Sequence, residues 1–167
     1  MKVRELMTSE VDCCGSHTDL AAVAMMMWRD NCGIVPVVED TRRVVGVVTD
    51  RDICMGAATR HRRPEELTAR ELMSGKVFSV RPEDDVHTAL ETMRQRKVRR
   101  LPVLDADGHI QGLISMNDIV LRVSAGGPRK GTALTAEDVL LALQGICEHP
   151  KAAATTPKPQ VMEVVRA

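Results

Sequence analysis

The sequence has no tyrosine, one phenylalanine and one tryptophan among its 167 residues. A groove for single-stranded nucleic acid needs successive aromatic faces on which bases stack, and this chain does not supply them. Neither sign of charge is in excess, because 23 Lys and Arg balance 23 Asp and Glu. That balance excludes a broad electrostatic surface for nucleic acid or for a membrane. No apolar run approaches the ~20 residues of a bilayer-spanning helix, and no stretch reads as a secretory leader. The five cysteines are odd in number and lack paired spacing. They suit a reducing, cytoplasmic setting better than a disulfide framework.

What is present is an apolar content of 44%, enough for a real core, and an internal repeat. A shift of about 66 residues lays Arg4-Glu5-Leu6-Met7 on Arg70-Glu71-Leu72-Met73 without a gap. The same shift pairs Pro36 with Pro102, Gly46 with Gly112, Asp52 with Asp118 and Ile53 with Ile119. Two copies of one supersecondary unit follow.

Each copy opens with a short lead, residues 3–7 and 69–73. Short strands are expected at 11–14 and 77–80. Thr18 or Asp19, and Asp84 or Asp85, are placed to cap the next helix. Leu20, Val23, Ala24 and Met27 recur at helical spacing in one copy, as do Val86, Ala89, Leu90 and Met93 in the other. Buried strands at 34–38 and 100–104 lead into turns, Glu39-Asp40-Thr41 and Asp105-Ala106-Asp107-Gly108. Strands at 44–48 and 110–114 then run into helices starting on Thr49 and Ser115. The unit is β-α-β-β-α, an α/β (α+β) fold in two halves. The divisions are 1–58 for the first unit, 59–68 for a polar, exposed connector holding Pro64, and 69–124 for the second unit. Residues 125–134 form a Gly-rich linker and 135–149 a helix with Val139, Leu140, Leu143 and Ile146 on one side. That helix starts from a capping-box pattern, Thr135-Ala136-Glu137-Asp138. Residues 150–167 form a tail expected to be mobile.

The chemistry concentrates where the last strand of each unit becomes a helix. The first copy reads Gly46-Val47-Val48-Thr49-Asp50-Arg51-Asp52-Ile53, and the second Gly112-Leu113-Ile114-Ser115-Met116-Asn117-Asp118-Ile119. Thr49 and Ser115 are N-caps, and a helix start presents free amides and a positive dipole end to an anion such as phosphate. Asp52 and Asp118 fall in the first turn. A carboxylate there repels phosphate but accepts from hydroxyl donors, and the 2′,3′-diol of a ribose fits it. A plainer reading competes: Thr49 and Ser115 as caps alone, with the two acids complementing the helix dipole.

These motifs, with the Gly-Ile-Val-Pro-Val and Arg-Arg-Leu-Pro-Val strands, resemble a tandem pair of CBS domains, the module named after cystathionine β-synthase. The resemblance covers about three quarters of the chain. It implies two β-α-β-β-α units about a pseudo-twofold, a homodimer, and adenosine nucleotides (AMP, ADP or ATP) held in two clefts between the units. By the same resemblance Thr49 and Ser115 take phosphate, Asp52 and Asp118 take ribose, and Arg51 and Asn117 assist. Ser74, Phe78 and Val98 would line the Asp52 cleft. Thr8, Asp12 and Cys32 would line the Asp118 cleft, with Arg99 and Arg100 matching phosphate-contacting positions. Gly33 and Ile34 stand at the equivalent places of the first copy and cannot act so. The expected function is non-enzymatic and regulatory: no cofactor is required, the nucleotide is the regulatory ligand, and occupancy passes to an unidentified regulated protein. The rival is a thiol- or metal-responsive stress protein in which the pair is only scaffold.

Three further patterns remain. Ala21, Met25 and Trp28 make a second apolar stripe whose counterparts are His87, Glu91 and Arg94, so a subunit contact at the first-copy helix is expected. Cys13, Cys14 and His17 lack a fourth metal ligand, and neighbouring strand residues face opposite ways, so no metal is expected there. The stretch from Gly126 to Thr132 lacks the Gly-Lys-Ser/Thr order of a phosphate loop.

Overall fold

The computed structural model describes residues 1–40, 42–125 and 134–148. Expectations for Thr41, for most of the linker and for the tail lie outside the described residues. The first unit runs β1 (Cys14–Gly15), α1 (Leu20–Arg29), β2 (Ile34–Glu39), β3 (Arg43–Thr49) and α2 (Asp50–Arg60). Its sheet has the order β1-β2-β3, with β1 parallel and β3 antiparallel to β2. The second unit runs α3 (Ala69–Leu72), α4 (Val86–Arg96), β4 (Arg100–Leu104), β5 (Ile110–Ser115) and α5 (Met116–Ala125). A last helix, α6 (Ala136–Cys147), follows.

The two hairpins share one register. Ile34 opposes Thr49 in β2–β3, and Arg100 opposes Ser115 in β4–β5. Both long helices start on aspartates: Asp19 accepts from the Ala22 amide at 2.8 Å, and Asp85 from the His87 amide at 3.0 Å. Thr18 caps nothing; its hydroxyl accepts from Gly15 N–H at 3.1 Å instead. The inward stripes are as the spacing predicts, with Leu20, Val23 and Met27 buried on α1, and Val86, Ala89, Leu90 and Met93 buried on α4.

The units interlock through crossed lead-ins. Val3, from the start of the chain, is fully buried in the core of the second unit. Leu67, at the end of the connector, and Ala69, at the start of the second unit, are buried in the core of the first. Backbone bonds fix the crossing, Val3 N–H to Asp84 C=O at 3.0 Å and Leu20 N–H to Leu67 C=O at 3.0 Å. After each lead-in the chain crosses the last strand of the other unit. Thr8 pairs with Leu113, and Ser74 with Val47. The crossings need glycine beneath them. A Cβ at Gly112 would lie 2.6 Å from the Thr8 carbonyl oxygen, and one at Gly46 would lie 2.7 Å from Met73 Sδ. Both distances are shorter than van der Waals contact, which accounts for the glycine in each copy of the motif.

The structure corrects four local expectations. The strand expected at 11–14 is Cys14–Gly15, because pairing begins only where the chain meets Val37. The strand expected at 77–80 is reduced to one parallel bridge, Val80 with Val103. The connector is not simply an exposed loop: Pro64–Glu66 form a 3-10 turn and Leu67 is fully buried. On α6, Leu140 is exposed, and Val139 and Ala142 face inward.

Candidate functional site

The lead-in of the first unit and the strand-to-helix junction of the second enclose a cleft of about 950 Å³. Thr8, Asp12 and Cys32 line it from one side, and Ser115, Asn117 and Asp118 from the other. Arg100, opposite Ser115 in the register, also lines it. Successive strand residues face opposite ways, so Arg99 is exposed and stands outside the lining. Its carbonyl accepts from the Met116 amide at 2.9 Å, a backbone role at the start of α5.

Gly33 has a use beyond its lack of charge. A Cβ there would lie 2.8 Å from Asp50 Oδ2 and 3.3 Å from Arg100 Nη2. The bare glycine gives the guanidinium of the second unit room against the first. The copies therefore diverge in a complementary way, arginine in one and space for it in the other.

At the helix starts, Asp118 Oδ2 accepts from the Ser115 amide at 2.8 Å and from the Ser115 hydroxyl at 2.7 Å. Asp52 repeats this with Thr49 at 2.9 and 2.7 Å. Each hydroxyl in turn accepts from the aspartate amide, at 3.3 and 3.2 Å. These are reciprocal capping boxes built with Asp in place of Glu. A hydroxyl has one proton, and here the carboxylate holds it. To donate to a phosphate, Ser115 or Thr49 must turn away from its aspartate. The second carboxylate oxygen, Oδ1, has no protein hydrogen-bond partner among the described residues and stays open to a diol.

The same box starts α6, where Thr135 and Asp138 meet at 2.6 Å. It occurs there outside either repeat. The box is thus a device of helix starts in this chain, and by itself it does not mark a ligand. What distinguishes Asp118 is the cleft around it.

Residues from turns, which carry no period, complete that cleft. Asp30 and Asn31 reach it from the end of α1, and Arg42 from the β2–β3 turn. Arg42 donates to the Val11 carbonyl at 3.4 Å, and its φ of 73° marks a left-handed turn position. Arg29 pairs with both Asp12 and Asp30 and offsets two of the rim acids. Glu10 and Asp118 then stand against Arg42 and Arg100, so the remaining wall charge is balanced.

The residues assigned to the Asp52 cleft have other partners. Ser74 is tied to β3 through Val47, with its amide 2.9 Å from the Val47 carbonyl oxygen. Phe78 and Val98 pack against the core of the second unit. The guanidinium of Arg96 stands 4.8 Å from the Phe78 ring centroid and the Lys76 ammonium 5.4 Å from it, a pair of cation–π contacts. Arg51 is exposed in the first turn of α2.

The cysteines are poor nucleophiles where they are most buried. Burial and the neighbouring Cys13 push the Cys14 thiol up to about 11, and burial raises Cys13 despite Arg42. Thiolate is the reactive form, so burial works against reaction at both. Among the described residues, a metal-type grouping of three ligand atoms within 4.8 Å occurs at Asp105, Asp107 and His109. There Asp105 Oδ1 accepts from the amides of Asp107 and His109, at 3.0 and 2.9 Å, which closes the β4–β5 turn. Among the described residues no helix is long and apolar enough to cross a membrane.

The CBS-domain family model matches twice, at residues 3–57 and 69–125. The Methanopyrus kandleri protein MK0525 is 32% identical over 107 residues, 64% of this chain, which spans 55% of that relative. Hypoxic response protein 1 of Mycobacterium tuberculosis is 31% identical over 70% of this chain and 80% of its own length. The crystal structure of Hypoxic Response Protein I with two coordinated zinc ions superposes with a TM-score of 0.67 at 30% identity. That match covers 72% of this chain and 98% of the other. The CBS pair of MJ0100, in complex with 5′-methylthioadenosine and S-adenosylmethionine, has a TM-score of 0.68 over 75% of this chain and 97% of that one. At 19% identity it bears on the fold alone.

Proposed function

Because the chain belongs to the CBS-domain family and carries two copies in tandem, we propose that it is a regulatory module that senses an adenosine nucleotide. The ligand sits in the Asp118 cleft, and occupancy favours one arrangement of the two units, which a regulated protein reads. The observation that supports this reading is a convergence. Thr8, Asp12 and Cys32 of one unit meet Ser115, Asn117 and Asp118 of the other around one cleft, with Arg100 at its edge. Asp118 Oδ1 accepts from the ribose diol, Arg100 takes phosphate, and the apolar wall at Ile34, Val35 and Leu113 takes the base. The module binds and does no chemistry. It works as a homodimer, in which Met25 and Trp28 give α1 an apolar outer face.

Calorimetry with AMP, ADP, ATP and 2′-deoxy-AMP tests the reading. Losing a hydrogen bond to a charged group costs about 1.5–3 kcal/mol, roughly tenfold to hundredfold in affinity. The 2′-deoxy form is expected to bind that much more weakly than AMP. Equal affinities would remove the diol role from Asp118, and no binding of any of the four would remove the nucleotide.

A metal-responsive reading has one observation in its favour, the zinc ions of a relative 30% identical to this chain. The group that fits it here is Asp105, Asp107 and His109. Zinc titration of the reduced protein and of His109→Ala separates the two readings. Stoichiometric binding that the substitution abolishes would favour metal.

A further inference from the structure

The Asp118 cleft shares a wall with a second hollow. Asn31 and Cys32 line both, the cleft on one side and, on the other, a hollow of about 380 Å³ at α1 and α2. Arg100 lines the cleft, and Asp50, the first residue of α2, lines the second hollow. The next residue of the wall is Gly33, which has no side chain to close it. The point that a Gly33 Cβ would take lies 2.8 Å from Asp50 Oδ2 and 3.3 Å from Arg100 Nη2. The glycine is thus a window at which a carboxylate of the first unit approaches a guanidinium of the second. Asp50 Oδ1 accepts from the Arg51 amide at 2.7 Å. Among the described residues, Asp50 Oδ2 and the half-buried Arg100 guanidinium have no hydrogen-bond or ion-pair partner, and they stop short of pairing with each other. The repeat builds this window once. The residues matched to Asp50, Gly33 and Arg100 in the other copy are Met116, Arg99 and Ile34.

We infer that Asp50 competes with ligand phosphate for Arg100, and so sets how strongly the Asp118 cleft responds to added phosphate. The inference rests on the reading of that cleft as a nucleotide site with phosphate at Arg100, and it names the residue that tunes it. An arginine fork grips one oxyanion group at a time in its bidentate geometry. Without phosphate, the Arg100 charge is met across the window by Asp50. That attraction is modest, because Asp50 is exposed to solvent. A phosphate in the cleft carries more charge than one carboxylate and draws the fork the other way, and a longer phosphate chain draws it harder. Adenosine makes no such demand on Arg100. Asp50 also adjoins Thr49, the cap of α2, whose box holds Asp52. Phosphate in one cleft therefore changes the charge balance at the helix start that belongs to the other, and the linkage runs in both directions.

Calorimetry of the full chain with ATP and with adenosine tests this, on the parent, Asp50→Asn, Gly33→Ala, Arg100→Ala and the double variant Asp50→Asn/Arg100→Ala. Asp50→Asn should bind ATP roughly two- to fivefold more tightly, the range of a part-exposed ion pair, and should leave adenosine unchanged. Gly33→Ala keeps both charges and puts a methyl group between them, and the side-chain ends it meets can move aside. It should raise the preference for ATP in the same direction. On the Arg100→Ala background, Asp50→Asn should change nothing, which separates competition for Arg100 from a general loss of negative charge near the cleft. If the parent binds neither ligand, the nucleotide reading of the cleft is wrong and the inference falls with it. If the parent binds both and Asp50→Asn leaves the ratio of affinities unchanged, or raises it equally without Arg100, the nucleotide reading stands and the role of Asp50 is overturned.

Discussion

The first and second units share a backbone and differ at their edges. Register, buried helix stripes, capping boxes and glycines under the crossings all recur. What differs is arginine opposite the capping residue in one unit and isoleucine in the other, and, among the described residues, a covered helix face in one against an exposed face in the other. The repeat keeps what the fold needs, and it varies where side chains meet something outside their own unit. If that division is right, substitutions in the shared parts should damage both units alike, and those in the divergent parts should separate them.

The largest expected effect lies in the shared parts. Leu67 is fully buried in the core of the first unit although it belongs to the connector that runs into the second. Leu67→Ala should cost about 2–5 kcal/mol, as large-to-small core changes do. Because Val3 crosses the other way, the loss should appear in one cooperative transition for both units. Two separated transitions in urea, with only the first unit weakened, would show that the lead-ins do not couple the halves.

Asp118→Ala should weaken nucleotide binding roughly tenfold to hundredfold, while Asp52→Ala should spare the tighter calorimetric phase. Equal losses would make the clefts equivalent and break the comparison at its centre. Arg100→Ala should then flatten any preference for ATP over AMP, because an arginine fork favours added phosphate. Arg99→Ala, exposed just before the same strand, should leave the ratio unchanged. A larger change from Arg99 than from Arg100 would reverse the placement.

Much of this was legible from periodicity. A two-residue alternation, a helical stripe and a repeat constrain each other, so β2 to α2 and β4 to α5 emerge within a residue or two of their expected limits. The residues that escaped have no period. Leu67 sits in a polar stretch, and only the path of the chain into the first core buries it. Leu140 and Ala142 exchange roles because an apolar helix with leucines on several sides does not announce which stripe faces in. Asp30, Asn31 and Arg42 join the cleft from turns, where position follows from backbone geometry. The capping boxes were legible as caps. The one on α6, outside either repeat, shows why a cap pattern does not identify a ligand site.

The smallest expected effect concerns the covered face. The Thr135 hydroxyl and amide hold the Asp138 carboxyl below the ordinary carboxylate range, and His87 adds to this. Asp85 is also depressed, by the His87 amide and ring and by the N-terminal amine. A carboxylate whose folded value is lowered contributes stability that is complete above its unfolded value, about 4, and is lost as pH falls through the folded value. The start of α6, and with it the Asp138–His87 contact to α4, should therefore loosen below about pH 4. Hydrogen exchange, corrected for intrinsic rates, should show α6 amides losing protection on acidification before the inward stripe of α1 does. Asp138→Asn keeps an acceptor for the Thr135 amide and removes the titrating group, so it should flatten the α6 dependence without abolishing the helix. An unchanged acid profile in that variant would remove Asp138 from the contact. The bare face of α1 would then have to be compared with a helix held on α4 by apolar packing alone.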